Sequence, residues 1–456
     1  MNTADAPPPT APIVDAAATA GPSSATAAPT PSASLPAAPP VAAGRDADVV
    51  VVGAGLAGLR CAGLLAEAGL AVQVLEASDD VGGRVRTDEV DGFRLDRGFQ
   101  VLPTAYPEAA EALDLDALDL RPFYPGALVF ADGAFHLAAD PSRRLGDALR
   151  AWRAPVFTAV EKLRLLRLTG ALNAADEDER GRWPDIPTSA ALAEAGFGPR
   201  AVQRFFRPFL GGVFGDLELT TSARQFAFVW SMFAAGDAAV PARGMGEIAR
   251  QLAARLPAGA VTLGAPVAAV MADDPTDGPR QVVRATLADG TVVTARAVVV
   301  ATGEAAAARL LDLPAPPPGR GLTCLYFDAP EPPLPAPVLA LDGDGDGPVT
   351  NLAVMSVVAP SYAPPGRALV AAVVVGLPPL DDAALEAAAR AQLAGWFGAA
   401  VDDWRHLRTY RIADALPDQS PGRLVPPLRP AAIGGGLFVA GDHRTNGSID
   451  GALLSG

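Results

Sequence analysis

The sequence predicts an α/β fold, and three observations support that prediction. Residues 48–52 form a short apolar, β-branched run, which is typical of a parallel strand buried on both faces. A glycine loop follows at once at 53–58, and residues 59–68 have the pattern of a helix. Residues 71–75 predict a second buried strand that ends at Glu76. Together these elements form one strand–loop–helix–strand unit.

The glycine loop predicts a dinucleotide-binding site. Gly53 allows a tight turn after the strand, Gly55 lets the backbone approach a pyrophosphate, and Gly58 lets the helix pack close to the strand. The N-terminus of that helix points free N–H groups at the phosphates. Glu76 stands 18 residues after Gly58, where a carboxylate can accept hydrogen bonds from ribose hydroxyls. The alternative is a tight glycine turn that binds no ligand.

A second motif, Gly-Gly-Arg-Val-Arg-Thr at 82–87, begins six residues after Glu76. Its two glycines bring backbone amides close to a ligand, and Arg84 can neutralise a phosphate with a forked donor. A nicotinamide-binding domain does not need this element. The alternative is an ordinary turn with a solvated arginine, which the preceding unit disfavours.

The middle of the chain predicts further elements of both kinds. Residues 106–256 are expected to be mainly helical, with apolar residues at helical spacing in 161–172 and 189–195. Residues 281–287 and 291–301 are expected to be strands, and the Asp-Gly pair between them is a good hairpin turn.

Towards the C-terminus the elements alternate. Strand-like runs and Pro/Gly loops fill 322–375, and 381–397 has the pattern of an amphipathic helix. A last buried strand is expected at 437–440, and it leads into a third motif. In that motif Asp442 can accept from a ribityl chain, and 448–452 predicts a helix start whose dipole can stabilise negative charge on a reduced ring. The alternative is a strand–turn–helix with a capping aspartate.

The charge balance argues against two classes of partner. The 456 residues carry 36 basic and 51 acidic side chains, a formal net charge of −15. Nucleic-acid binding would need a basic stripe, and docking on an anionic membrane would need basic clusters. The longest apolar runs, such as 368–377, are shorter than the ~20 residues of a membrane-spanning helix. We therefore expect a small-molecule partner and no nucleic acid, without excluding peripheral contact with a membrane.

Cysteine and histidine are scarce. Cys61 and Cys324 are the two cysteines, which excludes a disulfide framework and favours a reducing compartment, so we predict a cytoplasmic protein. The histidines are His136, His406 and His443, too few for a Cys/His zinc cluster, and we predict no metal site.

Residues 1–44 differ in composition from the rest of the chain. They are mostly Ala, Pro, Ser and Thr and contain no Lys or Arg. Such a segment cannot bury enough apolar surface to offset the entropy of ordering, so we predict a disordered tail. It also lacks the positive region and the unbroken apolar run of a secretory signal.

In this order and spacing, the three motifs resemble those of the flavin-containing amine oxidase, protoporphyrinogen oxidase and phytoene desaturase superfamily. The resemblance covers residues 46–456 and is most specific in the three motifs. It implies bound FAD, a Rossmann-type FAD-binding domain built from three separated segments, and an interleaved α+β substrate domain. The FAD-binding segments are then expected at 45–105, 246–312 and 431–456, and the substrate-domain segments at 106–245 and 313–430.

The resemblance also implies which residues hold the cofactor. Gly98 lies on the strand that would pass the isoalloxazine ring, Val267 in the segment that would read the adenine edge, and Thr302 at a strand end beside the pyrophosphate. The full predicted cofactor-binding set is Gly53, Gly55, Leu56, Ala57, Gly58, Glu76, Gly82, Gly83, Arg84, Gly98, Val267, Thr302, Gly441, Asp442, Ser448, Ile449 and Ala452.

Two departures from the family pattern bear on the reaction. Many amine-oxidising relatives place a lysine on the strand after the second flavin segment, where it holds a water near flavin N5. Here Thr323 occupies that position, and the only lysine of the chain is Lys162. No paired aromatic residues precede the third motif, because 431–437 read Ala-Ala-Ile-Gly-Gly-Gly-Leu. Both departures favour desaturation or dehydrogenation of an apolar compound over amine oxidation.

The resemblance therefore implies an FAD-dependent oxidoreductase that takes a hydride from a C–H bond of an apolar small molecule, with dioxygen or another acceptor reoxidising the flavin. No acid or base is assigned as catalytic, because the flavin carries the chemistry. Phe99, Gln100 and Thr323 are candidates for positions near the ring. Two alternatives stay open: a flavin amine oxidase that releases hydrogen peroxide, and a non-redox flavin isomerase or prenyl-protein-binding module on the same scaffold.

Overall fold

The computed structural model describes residues 45–139, 143–175, 182–273 and 282–456. The predicted tail at 1–44 and Gln281, the first residue of a predicted strand, lie outside the described residues. The strands are β1 Val49–Val52, β2 Val72–Leu75, β3 Thr87–Val90, β4 Phe93–Asp96, β5 Leu102–Pro103, β6 Leu120–Pro122, β7 Gly126–Ala131, β8 Ala134–Ala139, β9 Ala238–Pro241, β10 Val261–Thr262, β11 Val267–Ala272, β12 Val283–Leu287, β13 Val292–Ala295, β14 Ala297–Val300, β15 Arg320–Ala329, β16 Leu339–Asp342, β17 Asn351–Val354, β18 Ala368–Val375, β19 Arg405–Leu416, β20 Ala432–Gly434 and β21 Leu437–Val439. The helices are α1 Leu56–Glu67, α2 Pro107–Ala112, α3 Ala148–Arg153, α4 Ala159–Ala174, α5 Thr188–Glu194, α6 Pro199–Ala201, α7 Arg207–Phe214, α8 Ala223–Ala235, α9 Gly246–Ala253, α10 Glu304–Leu310, α11 Met355–Val358, α12 Asp382–Phe397 and α13 Ile449–Ser455.

A parallel sheet brings together strands that are far apart in the chain. Its order is β10-β2-β1-β14-β21-β20, and every neighbouring pair except β20–β21 is parallel. All four valines of β1 are buried, because alternate residues pack into two different hydrophobic clusters on the two faces. The sheet therefore draws on residues 49–75, 261–300 and 432–439, one group from each predicted FAD-binding segment.

The strand predicted at 291–301 is in fact two strands. The Asp289-Gly290 turn is formed as expected, with Leu287 N–H donating to Thr291 O, and β13 pairs with β12 in a small antiparallel sheet. The chain then changes partner at Arg296, and β14 joins β1 in the parallel sheet. Periodicity does not detect such a break, because the residues on both sides of it are β-branched and apolar.

A second, mixed sheet has the order β19-β15-β18-β17-β16-β7-β8. Its edge hairpin, β7–β8, corrects the expectation that residues 106–256 are mainly helical, although helices do fill most of 148–253. The overlooked signal is Asp132-Gly133: both residues have positive φ angles, 52° and 74°, as a two-residue hairpin turn requires.

Strand β15 separates two cores by the alternation of its side chains. Cys324 and Tyr326 pack into the cluster shared with the parallel sheet, whereas Leu325 and Phe327 pack into the cluster beneath α12. On the other side of the molecule, α4, α5, α7 and α8 surround an aromatic core that includes Phe206 and Trp230. Among the helices of the described ranges, none is long and apolar enough to span a membrane.

Candidate functional site

The glycine loop forms a cradle at the start of α1. Gly53 has a φ of +104°, and a Cβ there would lie 2.8 Å from the Ala301 carbonyl oxygen. A Cβ at Gly58 would lie 2.0 Å from the Gly53 carbonyl oxygen, so this position permits close helix–strand packing. A Cβ at Gly55, in contrast, would meet nothing within 4 Å. Gly55 therefore borders open space where a ligand can approach the backbone.

Glu76 closes the cradle from the end of β2. Its Oε2 accepts from Ala54 N–H at 2.7 Å, and its Oε1 accepts from Ser78 N–H at 2.9 Å. Oε1 also accepts from the Ser78 hydroxyl at 2.6 Å, whereas Oε2 keeps a further lone pair, so Glu76 can still accept from a ligand hydroxyl through Oε2. Ala265 N–H donates to the Glu76 carbonyl oxygen, which brings the start of β11, with Val267, to the same edge.

The second motif lies directly against the first. Gly82 N–H donates to Ala54 O at 2.8 Å, and Gly55 and Gly82 form a parallel bridge. A Cβ at Gly83 would lie 3.4 Å from the Gly55 Cα. The two glycine motifs therefore share one wall, which is what a pyrophosphate held by backbone amides requires.

Arg84 and Asp442 pair with each other. Arg84 Nη2 donates to Asp442 Oδ1 at 2.7 Å, and Arg84 Nη1 donates to the Ala415 carbonyl oxygen at 3.0 Å. Asp442 raises the pKa of the Arg84 guanidinium above its usual value. The sequence-based interpretation gave these side chains separate tasks, a phosphate for Arg84 and a ribityl chain for Asp442. In the structure the charge of Arg84 is already partly neutralised by Asp442.

The remaining predicted residues of the third motif surround α1 and the glycine loop. A Cβ at Gly441 would lie 3.5 Å from Thr302 O, and one at Gly53 would lie 3.4 Å from Thr302 Cγ2, so the loop, the β14 end and the third motif converge. Ser448 caps α13 by accepting from Gly451 N–H at 2.9 Å. The helix, with Ile449 and Ala452, packs on α1, since a Cβ at Gly456 would lie 2.3 Å from Ala57 O.

Gly98 and Gln100 lie where the strand β4 leads out of the cradle. Gly98 has a φ of +88°, and a Cβ there would lie 2.6 Å from Ile412 Cδ1. Gln100 Nε2 donates to Arg84 O at 2.8 Å and to Arg97 O at 3.2 Å. Its Oε1 is buried and has no hydrogen-bond partner among the described residues. A buried acceptor of this kind normally has a donor, and a ligand can supply it.

Thr323 lies on the face of β15 opposite to Cys324, and its predicted position near the ring stays a prediction. Its hydroxyl donates to Gly376 O at 2.9 Å. Because side chains alternate along a strand, Thr323 lies on the same face of β15 as Leu325 and Phe327, which pack on the α12 side of the sheet. The residue of β15 that faces the cradle side is Cys324, whose thiol is buried and has its pKa raised to about 12 by that burial.

Asp96 is the buried carboxylate whose role the sequence did not reveal. Its Oδ1 accepts from Thr87 Oγ1 at 2.6 Å and from Met245 N–H at 2.9 Å, and its Oδ2 accepts from Tyr362 O–H at 2.8 Å. Tyr326 O–H donates to the Asp96 carbonyl oxygen at 2.9 Å. Burial raises the pKa of Asp96 to about 6. The residue thus ties β4 to the second sheet beside Gly98.

A cavity of about 470 Å³ opens next to Phe99. Its walls are mainly apolar and aromatic, as expected for a small-molecule site. The aromatic residues that line it are Phe99, Phe123, Tyr124, Trp152, Phe157, Phe205, Phe209, Trp230 and Phe233. The polar residues that line it are Arg143, Lys162, Thr169, Asn173 and Asp237. Lys162 Nζ donates to the carbonyl oxygens of Trp152 and Ala154, and burial lowers its pKa.

The cradle fits a bound dinucleotide on three counts. Within the described part of the chain, space is open at Gly55, no side chain caps the N-terminus of α1, and Gln100 Oε1 is a buried acceptor without a partner. An uncapped helix N-terminus is an anion site, which suits a pyrophosphate. The residues therefore fit the cofactor that their motifs predict.

Comparison with known proteins identifies the family. The family model described as flavin containing amine oxidoreductase matches residues 56–456. The chain belongs to that family. The predicted membership of a flavin-containing oxidoreductase family and the predicted α/β fold are both confirmed.

Individual relatives match over shorter stretches. L-amino acid oxidase Lm29 of Lachesis muta is 39% identical over 101 residues, which is 22% of this chain and 19% of the relative. Carotenoid 3,4-desaturase of Haloarcula japonica is 40% identical over 96 residues, or 19% of each chain. These matches span about a fifth of the length of either relative. Cyclohexylamine oxidase of Brevibacterium oxydans has a similar fold, with a TM-score of 0.67 and 19% identity over 90% of this chain and 97% of that one.

Proposed function

We propose that this family member binds FAD and takes a hydride from a C–H bond of an apolar small molecule. The observation that carries the proposal is the aromatic cavity beside Phe99, which follows directly on the Gly98 turn. When bound, the flavin would supply the hydride acceptor, and dioxygen or another acceptor would reoxidise it. The protein supplies position and exclusion of water.

The chain's residues divide into two tasks under this proposal. The backbone amides at the start of α1 and at Gly82-Gly83 hold the pyrophosphate, and Glu76 accepts from a ribose. Gln100 Oε1 accepts from the ring, and the Arg84–Asp442 pair closes the cradle. The aromatic wall of Phe205, Phe209 and Trp230 excludes water from the substrate.

Amine oxidation is the second candidate, because L-amino acid oxidases and a cyclohexylamine oxidase are among the similar proteins. Against it, no lysine stands at Thr323, and the residue of β15 that faces the cradle is Cys324. Asp237, in the cavity, is paired with Arg143. Asp237 therefore provides no unpaired carboxylate that could bind an amine.

The test is anaerobic bleaching of the flavin. The chain is loaded with FAD, and its visible absorbance is followed against panels of lipids, porphyrinogens and amines. Bleaching by an apolar lipid or porphyrinogen, with silence across the amines, supports the proposal. Bleaching by amines with release of peroxide in air supports the second candidate. A chain that stays colourless after FAD is supplied contradicts both, and a flavin that no donor reduces favours the non-redox alternative.

A further inference from the structure

An exposed apolar surface surrounds the far end of the cavity. We propose that this surface, formed by α3, α4 and the loop between them, docks on a lipid bilayer that contains anionic lipid. Five of its apolar side chains are each 44–61% exposed, namely Leu149, Trp152, Val160, Leu163 and Leu166. Scattered exposed apolar residues are ordinary, but a cluster on one short stretch marks an interaction surface.

The apolar side chains lie on one side of α4. Val160, Leu163 and Leu166 are spaced three residues apart, which places them along one face of the helix. The buried residues of α4 are Glu161 and Leu172. Leu165 and Leu168 also pack against the aromatic core. The helix therefore carries an inward apolar face and, in addition, an outward one, whereas the outward face of an ordinary surface helix is polar.

The charge of this surface is opposite to that of the whole protein. Residues 143–167 contain seven basic and two acidic side chains, a net charge of +5 in a chain of net charge −15. Both acids are engaged within the fold, since Asp147 accepts from Tyr124 O–H and Glu161 from Gly198 N–H. Arg143 is paired with Asp237, and the other exposed arginines are Arg144, Arg150, Arg153, Arg164 and Arg167.

This combination selects a bilayer over a second copy of the chain. Apolar side chains ringed by arginine match the acyl boundary and the anionic headgroups of a membrane surface. Two copies docked through this surface would bring their positive charges together, which disfavours a dimer. The acidic composition as a whole argued against an anionic membrane, but the local charge is what a membrane meets within a Debye length.

The surface is continuous with the cavity. Trp152 and Leu166 are exposed and also line the cavity, as do Phe99 and Val101 beside the cradle. The proposed docking surface and the cavity therefore share residues, which would place a docked bilayer next to the cavity. The docking itself rests on exposure and charge and does not depend on the proposed reaction.

Vesicle co-sedimentation of the flavin-loaded full chain tests this inference. We expect binding to phosphatidylcholine vesicles that contain phosphatidylglycerol, weaker binding to phosphatidylcholine alone, and a loss at high salt. L163D, and separately R150E/R153E, should each weaken binding by about tenfold or more. M271D is the matched control, because Met271 is exposed but lies on β11, and it should bind as the parent does.

The outcomes are separable from those of the flavin experiment. Visible absorbance and thermal unfolding establish that each variant is folded and loaded. If the parent binds no vesicle, or if L163D binds as tightly as M271D, the inference is overturned. It is also overturned if gel filtration gives a dimer that L163D dissociates, because the surface would then be an interface between copies. Loss of flavin with retained vesicle binding would instead count against the proposed function alone.

Discussion

Arg84 and Asp442 are 358 residues apart in the chain and 2.7 Å apart in space. Their ion pair fastens the second glycine motif to the third, across the mouth of the cradle. The Asp442 side chain is almost fully buried, while that of Arg84 is partly exposed. Removing either partner leaves the other with an unbalanced charge near the proposed pyrophosphate site.

The first prediction concerns this pair. Replacing Arg84 with Met should lower the free energy of unfolding by about 1–3 kcal/mol, because the buried Asp442 carboxylate loses its charged donor. Binding of FAD should weaken as well, since the second and third motifs lose their link. Urea unfolding of the apoprotein and fluorescence titration with FAD measure the two effects separately.

R121M is the control for that change. Arg121 pairs with Asp119 at 2.6 Å, but both side chains are about half exposed. An exposed pair contributes little, so R121M should alter the free energy of unfolding by no more than about 0.5 kcal/mol. Equal effects of R84M and R121M on FAD binding would contradict a linking role for Arg84.

The second prediction separates folding from cofactor binding within one glycine loop. Gly58→Ala should destabilise the fold by several kcal/mol, on the order of a severe core overpacking, because its Cβ would lie 2.0 Å from Gly53 O. Gly55→Ala should leave the fold intact, since Gly55 has a φ of −73° and open space, but it should weaken FAD binding at least about tenfold by intruding on the pyrophosphate.

Gly63→Ala supplies the control on the same helix. A Cβ at Gly63 would meet nothing within 4 Å, and alanine is the better helix former, so this variant should gain up to about 1 kcal/mol and bind FAD unchanged. Thermal unfolding and FAD titration of the three variants measure their relative stabilities and their relative affinities for FAD. If the Gly55→Ala variant bound FAD normally, a pyrophosphate position next to Gly55 would be excluded.

The third prediction is a pH dependence that originates at Asp96. Burial raises its pKa to about 6 in the folded state, above the unfolded value near 3.8. Between these values the folded protein holds the proton and the unfolded chain does not. The stability contributed by Asp96 is therefore full below pH 3.8 and is lost as pH rises through about 6, by roughly 2–3 kcal/mol.

Comparison with Asp96→Asn isolates this contribution. The amide does not titrate, so the difference in free energy of unfolding between parent and D96N should shift in favour of D96N as pH rises from 4 to 7 (values that bracket the pKa of about 6). Urea unfolding at a series of pH values measures that difference. A difference that stays constant across the range would show that the Asp96 pKa is not raised.

The fourth prediction uses Gly170 to narrow the cavity. Gly170 lines it, and a Cβ there would meet nothing within 4 Å among the described residues. Gly170→Phe should occupy part of the cavity while leaving flavin content and reduction by dithionite unchanged, and it should slow bleaching by substrate. Gly170→Ala, the matched control, should keep substrate bleaching. Bleaching of G170F at the parent rate would exclude this cavity as the substrate site.

Local patterns in the sequence were sufficient to predict the strand–loop–helix–strand unit and the glycine cradle. A valine run buried on both faces, glycines that tolerate a positive φ or a close backbone approach, and an acid at a strand end are requirements of the backbone itself. They are therefore visible within about thirty residues, the length of one such unit. The hairpin at Asp132-Gly133 was visible by the same reasoning and was overlooked.

Other features were decided only by the tertiary structure. Whether Thr323 or Cys324 faces the cradle depends on the register of β15, and a shift of one residue reverses every side chain of a strand. The Arg84–Asp442 pair, the Asp96 network and the cavity each join residues from distant segments. The sequence by itself determined which backbone could bind a dinucleotide. Only packing decided which charges meet and which apolar residues stay exposed, because both depend on neighbours that the chain brings together when it folds.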